Sequence, residues 1–200
     1  MNNLNKDKDL KTIIKEIENS LKKIPRIQSD NLINQLIKAN RIFLVAIGRV
    51  NLSLQCFGKR LSHLGFKVEL VGSLTEKPAM KKDLLIVASG SGESLIPLEI
   101  SKKAKKIGCK IFLITSSKRS SIRKLSDYVL EIKATTKPQK MINPDENLSD
   151  SISKTKKSIQ PMSTVFDQAL HVLGDYISLK LIKKLKINKK DLWKSHANLE

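Results

Sequence analysis

The spacing of apolar residues changes repeatedly along this chain, and each change marks an element. Over 10–24, Leu10, Ile13, Ile14, Ile17, Leu21 and Ile24 recur at helical spacing with Lys and Glu between them. Pro25 closes that helix, because a proline cannot continue the ladder. Leu32, Ile33, Leu36 and Ile37 then fall on one side of a second, short helix. From Ile42 to Ile47 the chain is an unbroken apolar run ending in Gly48, the pattern of a strand buried on both faces. Helical spacing returns over 52–64 and stops at Gly65, a favourable residue just past a helix end. Val68–Val71 reads as a short strand and Leu84–Ala88 as a buried one. A helix over 94–107 carries Pro97 in its first turn, where proline is tolerated. A strand Ile111–Ile114, a short helix near 120–126 and a strand Tyr128–Ile132 complete the alternation.

Strands alternating with helices predict an α/β fold. The expected architecture is a five-stranded parallel sheet, doubly wound in the flavodoxin-like manner with right-handed crossovers, flanked by N-terminal and C-terminal helices. Residues 133–160 break the alternation. Rich in Lys, Ser, Asn, Pro and Asp, they are expected to form a surface loop or a disordered segment. A long helix follows over 162–185, with a short terminal one over 188–196. The chain thus divides into N-terminal helices (1–40), an α/β core (41–132), the 133–160 segment and C-terminal helices (161–200), all within one expected domain.

The long helix is apolar around most of its circumference, from Met162, Val165 and Phe166 to Leu179 and Leu181. A helix of that kind is buried centrally or between subunits. Asp167, His171, Asp175 and Ser178 recur on it at helical spacing as a polar stripe. That stripe is either a solvated edge or, at Asp167, a group facing a ligand.

Composition narrows the class. At 40% hydrophobic and 28% charged, the 200 residues suit one packed domain. No apolar run is long enough to span a bilayer, and the charged N-terminus does not suit a secretory signal, so no membrane partner is expected. Cys56 and Cys109 lack metal-ligand spacing, which fits a reducing cytoplasm and gives no candidate metal site. The formal net charge of +19 raises the question of nucleic acid. Lysine dominates over arginine, however, aromatics are only 4%, and the lysines are scattered rather than gathered in a stripe. No specific nucleic-acid partner is expected, although a positive field would draw in a small anion.

The chemistry concentrates where the strand Leu84–Ala88 runs into Ser89-Gly90-Ser91-Gly92-Glu93-Ser94 and a helix begins. Glycines let backbone approach an anion closely, and free amides at a helix start point toward it. Serine hydroxyls add donors of adjustable direction. The stretch is neither G-x-G-x-x-G nor a Walker loop, so a nucleotide reading is weak; a tight turn without a ligand is the plain alternative. Gly48-Arg49 after the first strand and Thr115-Ser116-Ser117 after the fourth lie at the same sheet edge, where doubly wound folds bind ligands.

These residues resemble the SIS (sugar isomerase) domain family over nearly the whole chain, and within it the 6-phospho-3-hexuloisomerase branch. The resemblance rests on Gly48-Arg49, on Arg60-Leu61-Ser62-His63-Leu64-Gly65, on the Ser89–Ser94 loop and on Ile114-Thr115-Ser116. Gln160-Pro161-Met162-Ser163-Thr164-Val165-Phe166-Asp167 and the terminal His196-Ala197-Asn198-Leu199-Glu200 point to the branch. It implies interconversion of 3-hexulose 6-phosphate and fructose 6-phosphate through an enediolate, with no cofactor and usually in a homotetramer. Asp167 stands where the family usually has a glutamate regarded as the proton acceptor, and Val50 where it has a serine expected to touch the phosphate. His196, in the terminal pentapeptide, is the second catalytic candidate; it reaches an active site across a subunit boundary or pins the tail. Arg49, Val50, Ser89, Gly90, Ser91, Gly92, Glu93, Ser94 and Thr115 are the candidate substrate contacts. A non-catalytic sugar-phosphate binder, a sugar-sensing regulator and another phosphosugar substrate stay open as alternatives.

Overall fold

The computed structural model describes residues 7–134, 158–162, 164–188, 190 and 192. Two helices lead: α1 (Lys8–Leu21), whose first turn is capped by the Asp7 carboxylate accepting from the Leu10 amide, and α2 (Arg26–Lys38). Pro25 is the residue before α2 rather than the end of α1, and its fixed φ suits that place. The second helix is longer than its apolar residues suggest, because its first turns, Gln28 to Asn31, are polar. Then come β1 (Ile42–Val45), α3 (Gly48–His63), β2 (Val68–Leu70), β3 (Leu84–Ala88) and α4 (Leu95–Ile107). The chain continues through β4 (Lys110–Thr115), α5 (Ser121–Leu125), β5 (Tyr128–Glu131) and the long α6 (Thr164–Leu185). The short helix expected over 188–196 falls almost wholly outside the described residues.

The five strands form one all-parallel sheet in the order β2-β1-β3-β4-β5. Within β1, β3 and β4 successive side chains alternate between two cores, as the pleat requires. Ile42, Leu44, Leu84, Ile86 and Phe112 pack with Leu32 and Leu36 of α2, Leu54 and Phe57 of α3, and Phe166 and Leu170 of α6. Phe43, Val45, Leu85, Val87, Ile111 and Leu113 pack on the other face with Ala104 of α4 and Ile122 of α5. The sheet is therefore the middle of three layers, which is why its strands read as continuous apolar runs.

The chain leaves β1 outward through α3 to β2, and leaves β3 in the opposite direction through α4 to β4. Right-handed crossovers send these two helices to opposite faces, as the two cores confirm. A crevice therefore opens between the C-terminal ends of β1 and β3. α6 reaches this region by lying close along α3. A Cβ on Gly174 would come within 3.0 Å of the Phe57 side chain, so glycine permits the approach.

Stability at the opposite end of the sheet gathers on Asp127. Its carboxylate accepts from the Ile111 amide at 2.9 Å and from the ammonium groups of Lys105 and Lys110, each at 3.3 Å. Burial raises its pKa, but the amide and the two lysines outweigh burial and hold it below the ordinary carboxylate value. A lowered pKa in the folded state means stability that is fully present above the unfolded value near 3.9 and lost as pH falls through the folded one. Asp127→Asn is expected to lose about 1.5–3 kcal/mol at neutral pH, the worth of hydrogen bonds to a charged group. Denaturant melts repeated down through pH 4 should show that difference shrinking. A difference independent of pH would remove the charge from the explanation.

Among the described residues no helix is long and apolar enough to cross a membrane, and no group of His, Cys, Asp and Glu is arranged to hold a metal ion.

Candidate active site

The Ser89–Ser94 loop folds on itself before α4 begins. The Ser89 hydroxyl is buried, accepts from the Gly92 amide at 3.0 Å and shares a hydrogen bond with the Ser94 hydroxyl at 3.0 Å. The Gly92 amide also reaches the Ser89 carbonyl at 3.2 Å, and the Glu93 amide donates to the Ser91 hydroxyl. Thr115, fully buried at the end of β4, donates to the Gly90 carbonyl at 3.1 Å, and the Ser116 amide donates to the same oxygen. Glu93 turns away, its carboxylate accepting from the Ser121 amide at 2.8 Å. Among the described residues no acceptor is bonded to the amides of Gly90, Ser91, Ser94, Leu95 and Ile96. These five donors and the positive end of α4 have the chemistry to hold an anion.

Gly92 carries the sharpest constraint. Its φ is +70°, and a Cβ there would lie 2.6 Å from the Ser120 Cβ and overlap the Ser120 hydroxyl. Ser120 is itself buried and caps α5 by accepting from the Arg123 amide. Only a residue without a side chain lets the loop pass so close to that cap.

One strand spacing away, about 4.8 Å in the sheet, β1 hands over to α3. Here the structure departs from the sequence reading, which starts the helix at 52. α3 begins at Gly48, so Arg49 and Val50 lie in its first turn rather than in a loop. The amides of Gly48, Arg49 and Val50 have no bonded acceptor among the described residues, so a second helix N-terminus opens on the same crevice. Val50 is half-buried and packs on the core beneath it.

Arg49 links this turn to α6. Its Nε donates to Asp167 Oδ2 at 2.9 Å, across 118 positions of sequence. The two partners differ in exposure: the Arg49 side chain is 68% exposed and that of Asp167 only 6%. Asp167 Oδ1 is buried and has no hydrogen-bond partner among the described residues. The polar stripe divides accordingly. His171 and Asp175 are exposed, Ser178 is buried and donates to the Gly174 carbonyl, and Asp167 is buried and bonded to Arg49 at the crevice. His196 lies outside the described residues.

The structure thus brings Arg49, Val50, Asp167 and the loop residues to one end of the sheet, and sets Thr115 and Glu93 into its framework. Two contributors stand outside the candidate site residues: Ser116, which the sequence placed at this sheet edge, and Glu16, which had no sequence signal. The Ser116 hydroxyl is buried beside the loop and has no hydrogen-bond partner among the described residues. Glu16 of α1 accepts from the Ser158 hydroxyl, the Ile159 amide and the Gln160 side chain, fixing the segment that leads into α6.

The sequence profile of the SIS domain matches residues 35–171, more than half of the chain. The chain belongs to the SIS domain family. The match runs from α2 to the first half of α6 and includes every crevice residue described above. Among curated SIS relatives, the 3-hexulose-6-phosphate isomerase of Bacillus subtilis is 31% identical over 188 residues, covering 94% of this chain and 95% of that one. The 3-hexulose-6-phosphate isomerase of Methanocaldococcus jannaschii is 32% identical over 170 residues, covering 85% and 83%. A crystal structure of a hypothetical protein from Methanococcus jannaschii, for which a molecular function of 3-hexulose-6-phosphate isomerase was inferred, superposes with a TM-score of 0.79. That pair is 28% identical, covering 97% of this chain and 100% of the other.

Proposed function

We propose that this SIS protein is a sugar-phosphate isomerase that interconverts 3-hexulose 6-phosphate and fructose 6-phosphate. The observation that carries the reading is Asp167: a buried carboxylate with one oxygen on Arg49 and the other without a partner among the described residues, beside a crevice walled by two helix N-termini. The names of the relatives supply the substrate. The phosphate docks on the Gly90, Ser91, Ser94 and Leu95 amides, with the serine hydroxyls turning toward it. That remote binding energy holds the reacting carbons against Asp167.

The reaction moves a carbonyl from C3 to C2. The Asp167 carboxylate takes the proton from C2; the electrons of that C–H bond form the C2=C3 double bond, and the C3 carbonyl oxygen becomes the enediolate oxyanion. Arg49, with most of its guanidinium free in the crevice, stabilises that charge. The hydroxyl proton on the C2 oxygen then passes to the C3 oxygen, Asp167 returns its proton to C3, and C2 becomes the carbonyl. Atoms and electrons balance without a redox partner. Exposed Val172, Tyr176 and Leu179 on α6 support a subunit contact in keeping with the homotetramer that the resemblance implies.

The deciding experiment is turnover of 3-hexulose 6-phosphate by the purified protein, followed as appearance of fructose 6-phosphate. Turnover is the expected result. No turnover, with fructose 6-phosphate still raising the melting temperature, would replace the isomerase by a binding protein on the same scaffold.

A further inference from the structure

Three of the four strand-to-strand connections carry a helix; the fourth, from β2 to β3, does not. On the face covered by α4 and α5, the part of the sheet near β1 and β2 is therefore roofed only by the 71–80 stretch. A cleft of about 540 Å³ opens there, between that stretch and α4. Its floor is Phe43 and Leu85, its α4 wall Ile100 and Ala104, and its loop wall Val71 and Ala79. Phe43 and Leu85 are the second residues of their strands, so the cleft faces the N-terminal half of the sheet, away from the crevice at the C-terminal ends. Its volume lies within the range of small-molecule sites, about 300–1,000 Å³.

The chemistry of the lining selects the occupant. The one polar side chain in its depth, the Cys109 thiol, is already committed, donating to the Met80 carbonyl at 3.2 Å. Nothing inside asks for a hydroxyl-rich ligand such as a sugar. At the rim stand Lys77 and Lys103, neither paired with a carboxylate among the described residues. Glu76, beside them, accepts from the Gly72 amide at 2.6 Å. The neighbouring Glu99 is taken by Lys102 at 2.7 Å. The cleft is therefore apolar within and net cationic at its mouth, and the lysine stems extend the apolar wall while their ammonium groups stay in water.

We propose that this cleft binds a small amphiphile with an aliphatic body and one anionic head, of the class of medium-chain carboxylates. The chain lies over Phe43 and Leu85, and the carboxylate meets Lys77 and Lys103. The probes are decanoate and decan-1-ol, titrated calorimetrically into the full-length protein. Decanoate is expected to bind saturably and more tightly than the alcohol. Lys77→Glu with Lys103→Glu, both on the exposed surface, should weaken decanoate about tenfold or more, near 1.4 kcal/mol per decade, and leave the alcohol within about twofold. Ala104→Phe should abolish both if it folds; the surface double variant decides the matter if it does not. Absence of saturable decanoate binding, or decanoate binding indifferent to the charge reversal, would overturn the proposal. Binding is read without turnover, so this result is independent of the isomerase reading.

Discussion

Asp167→Asn is expected to lower kcat by about 10²–10⁴-fold, the usual contribution of a positioned acid–base group. Fructose 6-phosphate should still bind within a few-fold of the parent protein. The two effects separate because they live on different elements. Proton transfer belongs to α6, whereas phosphate capture belongs to the loop between β3 and α4, whose donors are mostly backbone amides that the substitution does not touch. An asparagine can keep the contact with Arg49 through its carbonyl oxygen, but its side chain is a neutral amide, and an amide cannot accept a carbon-bound proton. Stability should barely fall. The pair joins an exposed guanidinium to a buried carboxylate, so its worth is small, about 0–1 kcal/mol. Replacing the buried charge by a neutral amide also removes a desolvation cost. A variant that folds as well as the parent, binds the sugar phosphate and does not turn it over is the expected combination. An unchanged rate would remove Asp167 from the mechanism.

That division between local and distant structure also explains what the sequence disclosed. The strands were legible because a sheet buried on both faces leaves continuous apolar runs such as Leu84–Ala88, with two cores behind them. The loop after β3 was legible because its chemistry is contiguous: six residues supply the hydroxyls, the glycines and the helix start. The start of α3 was not. Gly48 has φ of +58° and follows an apolar run, so it reads as a stop, and the exposed first turn offers no apolar spacing to reveal a helix. The Arg49–Asp167 pair was equally hidden, since no local pattern encodes a contact across 118 residues. Asp167 itself was singled out by resemblance; on spacing alone it belonged to a stripe that the fold divides. Thr115 shows a subtler limit. A hydroxyl at a strand end looks like a ligand contact, yet full burial commits it to the Gly90 carbonyl, so it shapes the loop from beneath.

Gly92→Ala should be the most damaging single-methyl change at this site, and it probes the loop directly. Alanine at φ +70° costs about 1–3 kcal/mol as backbone strain. The added carbon would also lie 2.6 Å from the Ser120 Cβ, far inside contact distance. Ser120 cannot swing aside: it is buried, and its hydroxyl caps α5. Either the loop or the start of α5 must move, adding about 1–3 kcal/mol of overpacking. Together these predict a loss of about 2–6 kcal/mol and, for a chain of this size, a fall in melting temperature of roughly 5–20 °C. Affinity for fructose 6-phosphate should fall about tenfold or more, because the free amides on either side of Gly92 lose their common aim. A double variant separates the two costs. Ser120→Gly in the Gly92→Ala background removes the colliding carbon but not the strain, so part of the stability should return. If Gly92→Ala instead melts and binds like the parent, the loop does not pass over Ser120 as described, and its amides are not the phosphate site.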